Sequence, residues 1–213
     1  MNKSFSDFTL TEFSDALAAD SAAPGGGSTA AIVAALAASL TAMVARLTVG
    51  RPKYAAVDRD MQRIIAAADP LRLQLLTLAT TDAESFTAVI AAFRLPKETE
   101  NQKVERQAAI QAAYQGATAV PLRSLETTVE VLELCLQVIE LGNPNAVTDG
   151  ITAALLAEAA AQGAALNVQV NLTAIQDASF VAATRAQLEG LLARAAALRD
   201  RAVAHAHQHL LAV

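Results

Sequence analysis

Ser28-Thr29-Ala30-Ala31-Ile32-Val33-Ala34-Ala35-Leu36-Ala37-Ala38-Ser39-Leu40-Thr41-Ala42-Met43-Val44-Ala45 runs without a charge. Alanine is the strongest helix former and a poor strand filler, so this stretch reads as a helix that is apolar all round. Such a helix belongs at the centre of a bundle or across a membrane. Alanine contributes little to membrane insertion, no aromatic belt flanks the run, and neighbouring charges are sparse, so a central helix of a soluble bundle is expected. Small residues also let helices approach closely, so part of this surface is a candidate subunit interface. Ile151 to Leu172 is a second helix of the same kind.

Working outward, the whole 213-residue chain is punctuated as helices. Thr9 or Thr11 caps a short helix running toward Ala19, and Asp20 to Gly27 is a loop. Ser28 or Thr29 caps the alanine helix, which ends at Gly50 in the C′ position. Pro52 suits a first turn, and Pro70 breaks or kinks the pattern. Further helices are expected over Leu71 to Arg94, Thr99 to Ala119, Pro121 to Leu141, Gly150 to Ile175, and Ala178 to the C-terminus. Leu166-Asn167-Val168-Gln169-Val170-Asn171-Leu172 alternates like a strand, but nothing else offers it a pairing partner. The expected fold is therefore all-α: one domain over 1–213, a bundle of long alanine-rich helices.

Composition limits the function classes. Hydrophobic residues are 54% and charged residues 17%, enough apolar content to bury a core, which excludes global disorder. The net charge is −5 and no basic stripe is visible, so nucleic acid is not an expected partner. One cysteine excludes an intrachain disulfide and a four-cysteine zinc site. No basic-then-apolar leader opens the chain, so the cytoplasm is the expected compartment.

Asp82 is the most informative acid. Leu75, Ala79, Asp82, Phe86, Val89 and Phe93 follow a 4, 3, 4, 3, 4 spacing, the seam of a buried helix face. A carboxylate there is costly unless paired or used, and burial would raise its pKa toward acid–base work. A buried ion pair or a hydrogen bond to a helix end is the other reading. Glu84, two residues on, points elsewhere and is expected in solvent. Gly25-Gly26-Gly27-Ser28 opens a helix, where free backbone N–H groups favour an anion; a flexible turn is the plainer reading. No lysine follows in the P-loop pattern and no strand precedes.

As a helix, 166–172 places Asn167 and Asn171 on one face, either lining a groove or bonded to neighbouring helix ends. Asp149 reads as an N-cap. Arg51, Lys53, Arg94 and Lys97 sit at helix ends, solvated or able to meet an anionic tail, and Tyr54 can stack on a heterocycle or pack in the core. His205 and His209 share a face, but no third ligand accompanies them, so no metal site is expected. Cys135 reads as inert core.

Taken together, Ala23-Pro24-Gly25-Gly26-Gly27-Ser28, Met43-Val44, Leu47-Thr48-Val49-Gly50, Asp82-Ala83-Glu84-Ser85-Phe86, Arg94-Leu95-Pro96-Lys97, Val120-Pro121-Leu122, Gly142-Asn143, Thr148-Asp149 and Asn167 through Leu172 resemble the formiminotransferase-cyclodeaminase C-terminal family. That family includes stand-alone methenyltetrahydrofolate cyclohydrolases. The resemblance implies an all-α homodimeric folate enzyme with no cofactor and a tetrahydrofolate derivative as substrate. It implies cyclodeamination of 5-formiminotetrahydrofolate or ring opening of 5,10-methenyltetrahydrofolate. It places the family's catalytic aspartate on Asp82. It gives Gly25, Gly26, Gly27 and Ser28 to folate binding, Arg51, Lys53 or Arg94 to the glutamate tail, and Asn143, Asp149, Asn167 and Asn171 to the pocket lining. The family's Gly-Lys-Lys run reads Gly50-Arg51-Pro52-Lys53 here, and its Ser-Asp reads Thr148-Asp149. Without an attached formiminotransferase domain, the cyclohydrolase reaction is expected over the cyclodeaminase, with a non-catalytic folate-binding dimer as a further alternative.

Overall fold

The computed structural model describes residues 4–210, with side chains as far as His205. Among the described residues there are six α-helices and no strand: α1 (Leu10–Ala18), α2 (Gly26–Thr48), α3 (Asp58–Phe93), α4 (Glu100–Leu141), α5 (Val147–Leu172) and α6 (Ala178–Leu210). The all-α expectation holds. The alternating stretch 166–172 is helical, as the missing strand partner required.

The two apolar helices lie side by side at the centre. Ala30, Ala34, Ala37 and Ala38 of α2 share a core with Ala153, Ala157, Ala160, Ala161 and Ala164 of α5. Because those side chains are methyl groups, the two backbones come close; a Cβ built on Gly163 would sit 3.3 Å from the Ala30 Cβ. Larger residues fill the outer layer of the core, including Leu75 from α3 and Leu125, Val129 and Leu132 from α4. Both α2 and the stretch Pro144–Leu172 are long and apolar enough to cross a membrane, by length and composition, and about half of each is buried inside this bundle.

Helix ends follow local chemistry. Thr9 and Thr99 each form a reciprocal capping box, with Glu12 and Gln102. Gly50 has φ 73°, the left-handed conformation that ends α2, and its N–H donates to Asp58 Oδ1 at 2.6 Å. The expected starts of two helices are corrected. The α2 helix starts at Gly26 with Gly25 as its cap residue, so neither Ser28 nor Thr29 caps it. Ala146, not Asp149, precedes α5, and Asp149 lies inside its first turn, where a carboxylate meets the positive end of the helix dipole.

Pro70 and Pro121 do not end helices either; each lies inside one long helix. A proline frees the carbonyl four residues earlier, and that group needs another partner. At Pro70 it belongs to exposed Ala66, which water can serve. At Pro121 it belongs to buried Ala117, whose carbonyl accepts from the Asn171 side chain at 2.8 Å.

Candidate functional site

A cleft of about 450 Å³ opens where the N-terminal end of α2 meets α3, α4 and the last turns of α5. Gly25, Gly26 and Gly27 form one wall, Asp82 sits on α3 beside them, and Asn167 and Asn171 line it from α5. Phe86, Phe93 and Tyr114 supply apolar surface, with the Phe93 and Tyr114 rings edge-to-face at 6.1 Å.

The expected seam is only half a core stripe. Leu75 and Ala79 are fully buried, whereas Phe86 and Phe93 are 42% and 43% exposed, because the seam opens into the cleft below Asp82. Asp82 itself is half-buried at the opening. Its Oδ2 accepts from Ser28 Oγ at 3.0 Å, and the Ser28 backbone N–H bonds to the same carboxylate. Gly25 gives α2 no side-chain cap, so Asp82 caps that helix from another helix. Burial pushes its carboxyl above the ordinary carboxylate range, and the two Ser28 hydrogen bonds pull back only part of that rise.

Gly27 permits this crossing. A Cβ there would lie 2.7 Å from Asp82 Cγ and Oδ2, and closer to Oδ1. The glycine run therefore serves close approach as well as open N–H groups. The N-terminal segment braces the same place: Ser4 Oγ and the Phe5 N–H both bond to Thr80 Oγ1 at 3.0 Å, two residues before Asp82.

Both asparagines have their amide nitrogens occupied. Asn167 Nδ2 donates to Gly163 O at 2.9 Å, and Asn171 Nδ2 to Ala117 O at 2.8 Å. Both amides line the cleft, and neither bonds a neighbouring helix end: Gly163 lies on the same helix and Ala117 in the middle of α4.

Other expected site residues lie elsewhere in this chain. Arg51, Lys53 and Asn143 gather at the C-terminal end of α2, and 23 helical residues, about 35 Å, separate that end from the glycines. Asn143 is 8% exposed and tied into structure. Its N–H donates to Thr48 Oγ1 at 2.8 Å, and its Oδ1 accepts from Tyr54 OH at 2.9 Å and from the Asn145 N–H at 3.0 Å. Tyr54 is thereby held in this knot and does not face the cleft. Asp149 also lies outside the cleft. In the single chain these positions lie outside the cleft, and the motifs around Gly50 and Gly142 close the loops at that end. Arg94 is exposed, does not line the cleft, and follows cleft-lining Phe93 in the chain.

Tyr114, Ala117 and Thr173 line the cleft but were not singled out by sequence. A tyrosine in an alanine-rich stretch was the available signal. Among the described residues no cluster of three metal-ligating side chains occurs; the His209 side chain lies beyond those described. Cys135 is fully buried, its Sγ 3.1 Å from Thr41 Oγ1, and burial pushes its thiol up to about 12, which fits inert core.

Comparison with known proteins places this geometry. The family model for formiminotransferase-cyclodeaminase matches residues 9–190. The chain is 42% identical over 193 residues to a methenyltetrahydrofolate cyclohydrolase from Methylorubrum extorquens, covering 91% of this chain and 93% of that protein. It is 37% identical to a formimidoyltransferase-cyclodeaminase from Rattus norvegicus, but spans only 36% of that longer protein. The crystal structure of formiminotetrahydrofolate cyclodeaminase from Thermotoga maritima superposes with a TM-score of 0.86 at 30% identity, covering 94% of this chain and 96% of that one. The chain belongs to the formiminotransferase-cyclodeaminase family.

Proposed function

We propose that this protein is a folate one-carbon enzyme that opens 5,10-methenyltetrahydrofolate to 10-formyltetrahydrofolate, with no cofactor. The observation that carries the reading is Asp82, a half-buried carboxylate at the head of α2, facing a cleft lined by three glycines and two asparagines. Near-complete coverage of the Methylorubrum cyclohydrolase supports that reaction over cyclodeamination. The Thermotoga cyclodeaminase, of matching length, supports cyclodeamination as the second reading.

The substrate is a cationic amidinium with one carbon bridging N5 and N10. Asp82 stabilises that positive charge when ionised and takes a proton from the attacking water. The oxygen adds to the bridging carbon and gives a tetrahedral centre between the two nitrogens. Cleavage of the C–N5 bond leaves the formyl group on N10, while N5 takes a proton; one proton is released overall. Cyclodeamination uses a similar tetrahedral carbon with ammonia leaving, so one acid–base group serves either reaction. Gly25, Gly26, Gly27 and Ser28 form the wall against which the folate lies, Asn167 and Asn171 hold it, and Arg94 meets the glutamate tail. The test compares wild type with Asp82→Asn for loss of methenyl absorbance and for ammonia release from 5-formiminotetrahydrofolate. Equal turnover in both proteins removes Asp82 from the mechanism. No turnover of either substrate by wild type leaves a folate-binding protein without catalysis.

The proposed form is a cytoplasmic homodimer, associated with neither nucleic acid nor a membrane. Leu36, Met43 and Leu47 on α2 and Leu155, Leu166 and Val170 on α5 form an exposed apolar face, with Leu166 65% exposed. A second copy covering that face satisfies it, and Val170 carries the face into the cleft. Arg51 and Lys53 reach a cleft only if a second copy lays its α2 in the opposite direction. The double variant Leu36→Glu, Leu166→Glu should sediment as a monomer; an unchanged mass assigns the face to something else.

A further inference from the structure

Pro121 takes no part in the folate reading. It lies on α4, which carries Tyr114 and Ala117 of the cleft wall. Lacking an N–H, it leaves the Ala117 carbonyl without its helical partner, and Asn171 Nδ2 fills that vacancy at 2.8 Å. A carbonyl only accepts, so the bond fixes which way the amide is turned: nitrogen toward α4, oxygen away from it. Asn167 is locked the same way by Gly163 O at 2.9 Å. Neither Oδ1 has a hydrogen-bond partner among the described residues, and both residues line the cleft.

The cleft therefore offers acceptors side by side: two locked amide oxygens one helical turn apart, and the Asp82 carboxylate close by, since Gly26 approaches Asn167 while Gly27 approaches Asp82. A flat ring that presents hydrogen-bond donors along one edge fits such a surface. A ring presenting only acceptors leaves those oxygens desolvated and unpaired.

The geometry points to Asn167 and Asn171 as the residues that select the substrate's heterocycle, their amide oxygens accepting from the two N–H bonds of the 2-amino group of a 2-amino-4-oxopyrimidine edge, with Pro121 positioning Asn171 by freeing the carbonyl that holds it. This inference rests on the folate reading and deepens it. A site built to accept from an amino group rejects the analogue that lacks it, because the site's own polar atoms are then left unpaired.

The test measures equilibrium binding of 5-formyltetrahydrofolate and of its 2-desamino analogue to the full chain. Wild type should prefer the amino ligand by about tenfold or more. In Asn167→Ala and in Asn171→Ala the preference should fall to about twofold or less, the loss of one acceptor contact. Pro121→Ala, which restores an N–H to Ala117 O, should weaken the preference. The double variant Pro121→Ala, Asn171→Ala should then discriminate no worse than Asn171→Ala alone, as expected when two residues act through one contact. The ratio of the two affinities within one sample does not depend on the fraction of folded protein, and Asn171→Leu, which keeps the volume, repeats the measurement if Asn171→Ala is unstable.

Undiminished preference in the asparagine variants overturns the assignment, as does a wild type that shows none. An unchanged ratio in Pro121→Ala overturns the positioning role. Wild-type ring opening of methenyltetrahydrofolate is assayed on the same preparation. Turnover without discrimination sinks only the amide assignment, whereas neither turnover nor binding of either ligand sinks the folate reading and this one with it.

Discussion

Gly27→Ala tests the α2–α3 crossing with a single methyl group. The added Cβ would stand 2.7 Å from Asp82 Cγ and Oδ2, where ordinary contact begins near 3.4 Å, so the carboxylate must retreat by at least about 0.7 Å. Asp82 cannot rotate away freely, because its helix continues without a break through Phe93 and Ser28 holds Oδ2 at 3.0 Å. A misplacement near 1 Å at a reacting group costs on the order of 100-fold in rate, so kcat should fall by about that factor. Stability should move much less. Overpacking costs about 1–3 kcal/mol, and alanine's better helix propensity returns about 1 kcal/mol of it. The assay pairs kcat for methenyl ring opening with a thermal melt, in wild-type and Asp82→Asn backgrounds. In Asp82→Asn the added methyl should cost little further activity, since the group it displaces is already disabled. A Gly27→Ala enzyme with wild-type kcat refutes the role assigned to this contact, as does a full extra 100-fold loss on top of Asp82→Asn.

Asp82→Asn should melt higher than wild type at neutral pH. Burial raises the folded carboxyl above 3.8, so between 3.8 and that raised value the folded chain binds more protons than the unfolded one. Wild-type stability contributed by this group therefore falls as pH rises through that window, and the asparagine's advantage should vanish below pH 3.8; an advantage that persists there contradicts the linkage. Activity should rise along an acid limb set by Asp82 ionisation, and pH–rate profiles lacking any such limb would count against it as the base. Tyr54→Phe removes the bond to Asn143 Oδ1 and should cost about 0.5–1.5 kcal/mol in urea unfolding, with kcat unchanged, since that knot lies at the far end of α2. Ala157→Leu should cost about 1–3 kcal/mol because α2 and α5 leave no room for a longer side chain, and a neutral result would show that the pair can separate.

Much of the fold was legible because local signals and burial agree. The Thr9 and Thr99 caps, the left-handed Gly50 and the uncharged run from Ser28 to Ala45 each carry a local physical cause. Pro70 and Pro121 misled for the opposite reason: packing on both sides keeps each helix intact, and only the fold shows that water can serve Ala66 while Asn171 serves Ala117. Asp82 stood out because a carboxylate interrupts an apolar spacing. That Phe86 and Phe93 border open space was not legible, since core and cleft wall draw on the same side chains. From the residues alone Asp149 reads as a cap and Arg51 and Lys53 as helix-end cations; the family resemblance made them, with Asn143, site residues, and in the single chain they lie outside the cleft.

The carboxylate that heads α2 from a neighbouring rod binds reactivity to architecture more tightly than a loop-borne acid would. Neutralising it relieves the burial penalty and at once silences the proton acceptor, so stability and activity pull this position in opposite directions. For protein engineers the transferable unit is correspondingly small: a glycine-headed helix laid across a second helix at one acid, which any sufficiently close pair of rods can in principle host.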